Sequence, residues 1–391
     1  MRSLFSNIYA VLIREFGRIS EHKIHLMLMV VLPVLSFACF ACIFSRPVNS
    51  LPMAVLDEDN TPLSRRLVSM VGQTPSAMVV CEIQDMEEGM RLMRQGDIYA
   101  VLQIPASFES DIMGNRQTHV EFYNSGCNIS VNGLLAKDVQ TAVTSFSVGV
   151  QLNLLQAQGL SERQAMVMAR PVDFDKHVLF NPYINYSYYL APSLMAMMLL
   201  IFTVLNTIFA VGSELKYSTA REWFDTAGGS VVAAVTGKLL PTTAVMMAMT
   251  AFMYAIIFMI MGAPLNGNAW FLLLSGFVFI ISYQAIGLFV AALLANLRLA
   301  LSFGGGYSVL AFTFSGLTFP VMAMYGGIRL FSYIFPFTFY MRIYVDIAMR
   351  GADAVRALPD LGAMLAFQIL PLLVLRRLER VCTDERYWGK L

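Results

Sequence analysis

The sequence predicts a polytopic α-helical membrane protein with about six transmembrane helices and an inserted α/β (α+β) domain between the first and second. Three observations carry that prediction. Of 391 residues, 57% are hydrophobic and only 14% charged, whereas soluble domains carry about 25% charged residues; mean hydropathy is +0.62. Six stretches reach or approach the roughly 20 apolar residues needed to cross a hydrocarbon core: Ile24–Phe44, Tyr188–Val211, Leu239–Met261, Trp270–Leu294, Leu299–Leu317 and Ala357–Leu375. Between the first two, strand and helix signals alternate in a more polar segment.

Residues 1–23 come first. Leu4, Ile8, Val11, Leu12, Phe16 and Ile19 recur at helical spacing, with Arg2, Arg14, Arg18 and Lys23 on other faces. This pattern predicts an amphipathic helix lying in the membrane interface. More than twenty mixed residues precede the first apolar run and no small-residue cleavage site follows it, unlike a cleaved signal peptide. The first span then occupies residues 24–44.

Residues 45–187 form the inserted domain. Met53–Leu56, Met78–Cys81, Asp97–Ile104 and His119–Tyr123 read as strands. Pro62–Val71, Asp85–Arg94, Val131–Gln158 and Ser161–Ala169 read as helices, the first capped by Thr61 or Ser64. Strand–helix alternation of this length suits an independent small core. No nucleophile or metal-ligand pattern accompanies His119 or His177. The acidic cluster Asp57–Asp59 could hold a cation or simply end a strand in a polar turn. Cys81 and Cys127 could form a disulfide in an oxidising compartment, or stand as two separate thiols.

Residues 188–375 hold the remaining five spans, with a loop at 212–238, a broken segment at 318–356, and a tail at 376–391. Lysine and arginine set the orientation. Segments 1–23, 212–238, 296–298 and 376–391 carry 13 basic residues, against 5 in the opposite short segments. Both termini and the loop are therefore expected in the cytoplasm and the inserted domain outside. Charge divides in the same way: from Val48 to Asn185 there are 15 acidic and 9 basic residues, leaving 11 and 18 elsewhere. A net charge of +1 argues against nucleic acid as a partner.

The loop at 212–238 is the most informative segment. Glu214, Lys216, Arg221, Glu222 and Asp225 keep it out of the bilayer, yet it carries Trp223, Phe224 and the small run Ala227-Gly228-Gly229-Ser230. It reads either as a docking knob for a partner or as an interfacial helix with Trp223 in the aromatic belt. In 318–356, the apolar run Leu330–Tyr340 is too short to span, which suits a re-entrant or interfacial hairpin. Arg342 and Asp346, four apart, could pair at the membrane interface.

With Glu214, Ser218-Thr219, Trp223 and Gly237-Lys238-Leu-Leu-Pro241 in order, the chain resembles the permease subunits of ABC-2-type transporters. Ala54-Val-Leu-Asp-Glu-Asp-Asn60, Leu63-Ser-Arg65, Ile104-Pro-Ala-Ser-Phe108, Asn181-Pro182 with Asn185-Tyr186, Ser315-Gly-Leu-Thr-Phe-Pro320 and Phe335-Pro-Phe-Thr-Phe-Tyr340 extend the resemblance over nearly the whole chain. Ser218 departs from it, standing where the family usually has glycine.

The resemblance implies one span, a large extracytoplasmic domain and five further spans in a bacterial inner membrane. It also implies a coupling helix seated on a separate ABC ATPase subunit, which makes Glu214, Thr219, Glu222, Trp223 and Gly228 the candidate coupling residues. The implied partners are that ATPase, a second permease as homo- or heterodimer, membrane lipids and a periplasmic adaptor protein. ATP and magnesium would sit on the ATPase, with no cofactor in this chain. Val232 and Leu239 stand where a phosphate loop ending in Gly237-Lys238 would need glycine and serine or threonine. A membrane-anchored binding or scaffold protein is the competing reading. A secondary transporter would need matching halves and charges at the midplane. The 26 methionines and 28 phenylalanines suit either an adaptable path for hydrophobic or amphipathic cargo or a lipid-facing surface.

Overall fold

The computed structural model describes residues 4–21, 23–44, 49–127, 129–170, 179–181, 185, 187–316 and 319–389. His177, Pro182, Tyr186, Leu317, Thr318, Arg2 and Arg46, which figure in the sequence reading, lie outside the described residues. The chain forms two compact units, Met1–Ser45 with Val178–Leu391, and Arg46–His177.

The first unit opens with α1 (Leu4–Glu21), followed by α2 (Lys23–Leu26), a π-helical turn at Met27–Val31, and α3 (Leu32–Phe44). Pro33 has no N–H to give the preceding turn. The Leu28 carbonyl is instead met by Asn206 Nδ2 at 3.2 Å. The irregular turn is thus repaired from a neighbouring helix, as apolar surroundings require.

The second unit holds β1 (Leu51–Asp57), α4 (Pro62–Gly72), β2 (Ala77–Glu82), α5 (Met86–Gln95), β3 (Ala100–Ile104), α6 (Phe108–Met113), β4 (Glu121–Asn124), α7 (Ile129–Ala157) and α8 (Glu162–Ala169). The sheet order is β2-β1-β3-β4, with β1 parallel to β2 and β3, and β4 antiparallel to β3. Central β1 is buried on both faces, as parallel strands are. Met53 and Val55 pack with Leu67 of α4 and Leu135 and Phe146 of α7, while Ala54 and Leu56 pack with Ile83, Val101 and the α5 side.

The chain then returns to the first unit through α9 (Ser187–Lys216), α10 (Ala220–Thr226), α11 (Val231–Ala255, prolonged by a π-turn to Ile260), α12 (Ala269–Leu294) and α13 (Leu297–Thr313). It ends with α14 (Gly326–Ser332), α15 (Pro336–Tyr344, followed by a π-turn at Val345–Met349), α16 (Ala354–Ala366) and α17 (Ile369–Thr383). α9 is the hub, packed by α3, α11, α12 and α13. α12 runs through the core, and its C-terminal carbonyls at Ala292 and Leu293 accept from Arg377 Nε and Nη2 at 2.9 and 2.7 Å.

Among the described residues, five helical stretches are long and apolar enough to cross a membrane: Lys23–Phe44, Ser187–Lys216, Val231–Ile260, Ala269–Leu294 and Ala354–Thr383. The expected stretch Leu299–Leu317 falls on α13, whose 17 residues leave it outside that set. The expected Ala357–Leu375 lies within Ala354–Thr383, which is broken between α16 and α17. Segment 319–356 folds as two short helices, α14 largely exposed and α15 buried. Tyrosines fix α15 in place: Tyr340 Oη lies 2.8 Å from Tyr254 Oη, and Phe337 N donates to Tyr283 Oη at 3.1 Å.

Candidate functional site

The loop between α9 and α11 builds the site. α9 stops at Lys216, and Ser218 turns the chain with φ +59°. Thr219 N then donates to Glu214 O at 2.9 Å, launching the short helix α10. Gly228 and Gly229, at φ +64° and +74°, reverse the chain again. Ser230 caps α11 by accepting from Ala233 N at 3.3 Å. A Cβ on Gly228 would stand 2.6 Å from Asn7 Nδ2, so both backbone angle and space favour glycine there.

Glu214 lies at the centre of a buried ion cluster and is itself fully buried. Its carboxylate accepts from Arg14 Nη1 and Nη2 at 2.6 and 3.1 Å and from Lys238 Nζ at 2.8 Å. Arg18 and the Thr219 hydroxyl also bond to it. Lys238, likewise buried, reaches Glu15 as well, and Arg14 Nε bonds Glu222 at 3.2 Å. Three cations (Arg14, Arg18, Lys238) thus meet three carboxylates (Glu15, Glu214, Glu222) drawn from α1, α9, α10 and α11. Burial works against the charge on Arg14, but its hydrogen bonds and proximity to Glu214 and Glu222 outweigh this and raise its pKa. Breaking such a cluster by removing one partner costs about 3–5 kcal/mol, because an uncompensated buried charge remains.

Trp223 holds α10 down from inside. It is fully buried, donates Nε1–H to Ala234 O at 3.1 Å, and receives Lys238 Nζ over its ring at 4.8 Å. α1 closes the other side against Gly237, where a Cβ would stand 2.7 Å from Ile8 O. The face of α1 turned inward is Asn7, Val11 and Glu15, while Phe5, Tyr9, Ile13 and Phe16 are exposed. A helix stands where the sequence places one, but Leu4 and Phe16 of the predicted apolar stripe face outward and a glutamate faces in.

The five candidate coupling residues are brought together, in two kinds of place. Glu214 and Trp223 are buried and cannot touch a partner in this arrangement; they orient α10. Glu222 is exposed, as are Gly228 and, beside them, Arg221 and Asp225, and Thr219 is half-buried. Sequence reasoning missed Arg14, Glu15, Arg18 and Lys238 as members of the site. A signal existed for Lys238, a cation inside an apolar helix, since membrane-level charges require partners. None existed for which partners they would be.

The expected Arg342–Asp346 pair does not form. Arg342 lies over the Tyr333 ring at 5.0 Å, donates to its hydroxyl at 3.2 Å, and comes within 3.7 Å of Asp360 on α16. Asp346 is taken by Arg350 at 2.6 Å. Helical spacing identified an available partner, but tertiary neighbours and a competing arginine supplied others.

The acidic turn after β1 is satisfied internally. Asp57 Oδ1 accepts from Asp59 N and Asn60 N at 3.1 Å, and its Oδ2 accepts from Ser64 Oγ at 2.6 Å. Asp59 Oδ2 accepts from Thr61 Oγ1 at 2.6 Å and Glu109 N at 3.0 Å. This is a strand-ending turn with its carboxylates already partnered. Cys81 and Cys127 are free thiols and His119 is exposed.

The model of a family described as ABC-2 family transporter protein matches residues 23–376. No curated protein matches the chain. The family match begins just after α1 and runs through the ion cluster's Glu214 and Lys238 to the middle of α17. The chain belongs to the ABC-2 transporter family.

Proposed function

We propose that this chain is the permease subunit of an ABC-2-type export system in a bacterial inner membrane, moving a hydrophobic or amphipathic substrate with ATP hydrolysed by a separate ABC ATPase subunit. α10 is the coupling helix. The observation that carries this reading is the Glu214 cluster, which ties α10 to α1, α9 and α11, so that a push on α10 is borne by whole helices rather than a loose loop. The exposed residues Arg221, Glu222 and Asp225 are the surface offered to the ATPase.

Basic residue asymmetry supports cytoplasmic termini and an extracytoplasmic Arg46–His177 unit. α13 is the sixth span: 17 residues rise about 26 Å at 1.5 Å each, at the short end of what crosses a bilayer. It packs closely on α9, where a Cβ on Gly304 would meet Ile208 at 2.5 Å. Its other side exposes Leu299, Phe303, Val309 and Leu310. Small residues there, Gly305 and Gly306, suit close approach of a second permease. The substrate path would lie between the two copies, with the outer unit passing cargo to an adaptor.

The test is affinity purification of the full chain from its native membrane. An ABC ATPase should co-purify, and Arg221→Glu combined with Asp225→Arg, both exposed and outside the ion cluster, should remove it while the permease itself stays folded. If no ATPase accompanies the unaltered chain, the export reading fails and a binding or scaffold role takes its place.

A further inference from the structure

Beyond α17, the chain folds back on itself and reaches the coupling loop. Asp384 caps a single 3-10 turn at Glu385–Tyr387, its carboxylate accepting from Arg386 N at 3.0 Å. Trp388 N donates to Glu385 O at 3.0 Å, and its ring Nε1–H donates to Val381 O, one turn back on α17, at 3.1 Å. Tyr387 and Trp388 pack against the helical core, which includes Trp223, Phe224, Leu378 and Cys382. Gly389, at φ +64°, then gives its N–H to Leu215 O at 3.0 Å.

Leu215 O is a specific place to land. It is one of the orphan carbonyls at the end of α9, and it also accepts from Ser218 N at 3.3 Å. One carbonyl therefore anchors both the left-handed turn that launches α10 and the segment that follows α17. A Cβ on Gly389 would stand 4.0 Å from Ser218 Oγ, so the two turns lie against each other.

We propose that segment 384–389 is a positioning latch for the coupling helix. It clamps the α9–α10 turn to the end of α17, so that displacement of α10 is delivered to α17 as well as to α9 and α11. Trp388 and the Gly389 N–H are its positioning groups; neither needs to touch the ATPase. The proposal rests on the reading of α10 as the coupling helix, but the latch has a physical readout of its own. Cys382, in the last turn of α17, is buried in the core, and local opening of the latch would admit a thiol reagent.

The experiment uses the full chain in membranes with Cys39, Cys42, Cys81 and Cys127 replaced by alanine, leaving Cys382 to react with a maleimide. Gly389→Pro removes the N–H and cannot adopt the backbone angle; Trp388→Ala removes the ring; Trp388→Phe keeps most of the packing. Losing a hydrogen bond and its packing should raise the labelling rate about tenfold in the first two, and less in Trp388→Phe. The ATPase activity that co-purifies with the same two variants should fall, while the amount of folded permease is unchanged. Unchanged labelling in both variants overturns the latch. Increased labelling with unaltered ATPase association and activity overturns its role in coupling. If the unaltered chain brings down no ATPase, the export reading fails, and labelling alone decides whether the latch holds.

Discussion

Two carboxylate clusters in this chain solve the same problem by opposite means. In the turn after β1, Asp57 and Asp59 are satisfied mainly by donors within seven residues, namely Asp59 N, Asn60 N, Thr61 Oγ1 and Ser64 Oγ. At the end of α9, Glu214 is satisfied by Arg14 and Arg18, two hundred residues away in sequence, and by Lys238 on another helix. The first cluster caps a local turn and can be lost with a local effect. The second is where four helices are tied together, so its loss is felt by all of them. A carboxylate's partners, more than its burial, therefore tell whether it finishes an element or joins several.

The largest expected effect is at Glu214. Glu214→Gln leaves Lys238 and Arg18 without a full counter-charge in a buried site and should destabilise the membrane unit by about 3–5 kcal/mol. Thermal unfolding in detergent measures it. The double variant Glu214→Gln with Lys238→Met should recover part of that loss, because charge is removed from both sides. If the double variant is no better than the single, the cluster does not act as a coupled set and the contrast with the β1 turn collapses.

A smaller effect is expected at Thr61. It is the N-cap of α4, its hydroxyl accepting from Ser64 N at 3.2 Å while the Ser64 hydroxyl accepts from Thr61 N at 3.0 Å. Thr61→Ala should cost about 1 kcal/mol, a typical N-cap loss. Limited proteolysis should show faster cleavage within residues 49–127 and unaltered protection of the helical unit. Loosening of the helical unit as well would mean that the β1 turn is not local.

How much could be read from the sequence follows the same division. The four strands, the four longer helices of the inserted unit and the Thr61 cap are local patterns, visible as period, cap and turn. Five of the expected spans overlap helical stretches long enough to cross, because twenty apolar residues form a local signal too. α13 was harder to read, since its apolar run continues past the point where the helix stops at Thr313. Glu214 and Trp223 were legible as unusual residues in a charged loop, but their burial was not. Arg14 and Arg18 read as the polar side of an interfacial helix, and only tertiary packing turns them, with Glu15, toward Glu214 and Lys238. Arg342 and Asp346 mislead for the same reason: spacing proposes a partner, and the fold chooses among all those within reach.

The smallest expected effect sharpens the comparison most, because it separates backbone from charge inside the Glu214 region. Ser218 holds φ +59° with its side chain exposed, in a conformation that costs a non-glycine residue about 1–2 kcal/mol. Glycine would relieve that cost but lose more backbone freedom on folding, by about 0.5–1 kcal/mol. Ser218→Gly should therefore stabilise the chain by less than about 1 kcal/mol, whereas Ser218→Val, β-branched and poorly suited to this angle, should destabilise it. Neither alters a charge, so ATPase co-purification should follow stability and nothing else. A stabilised Ser218→Gly chain that loses its ATPase would show that the serine hydroxyl itself belongs to the docking surface. A destabilised one would show that the turn is held by the side chain rather than tolerated despite it.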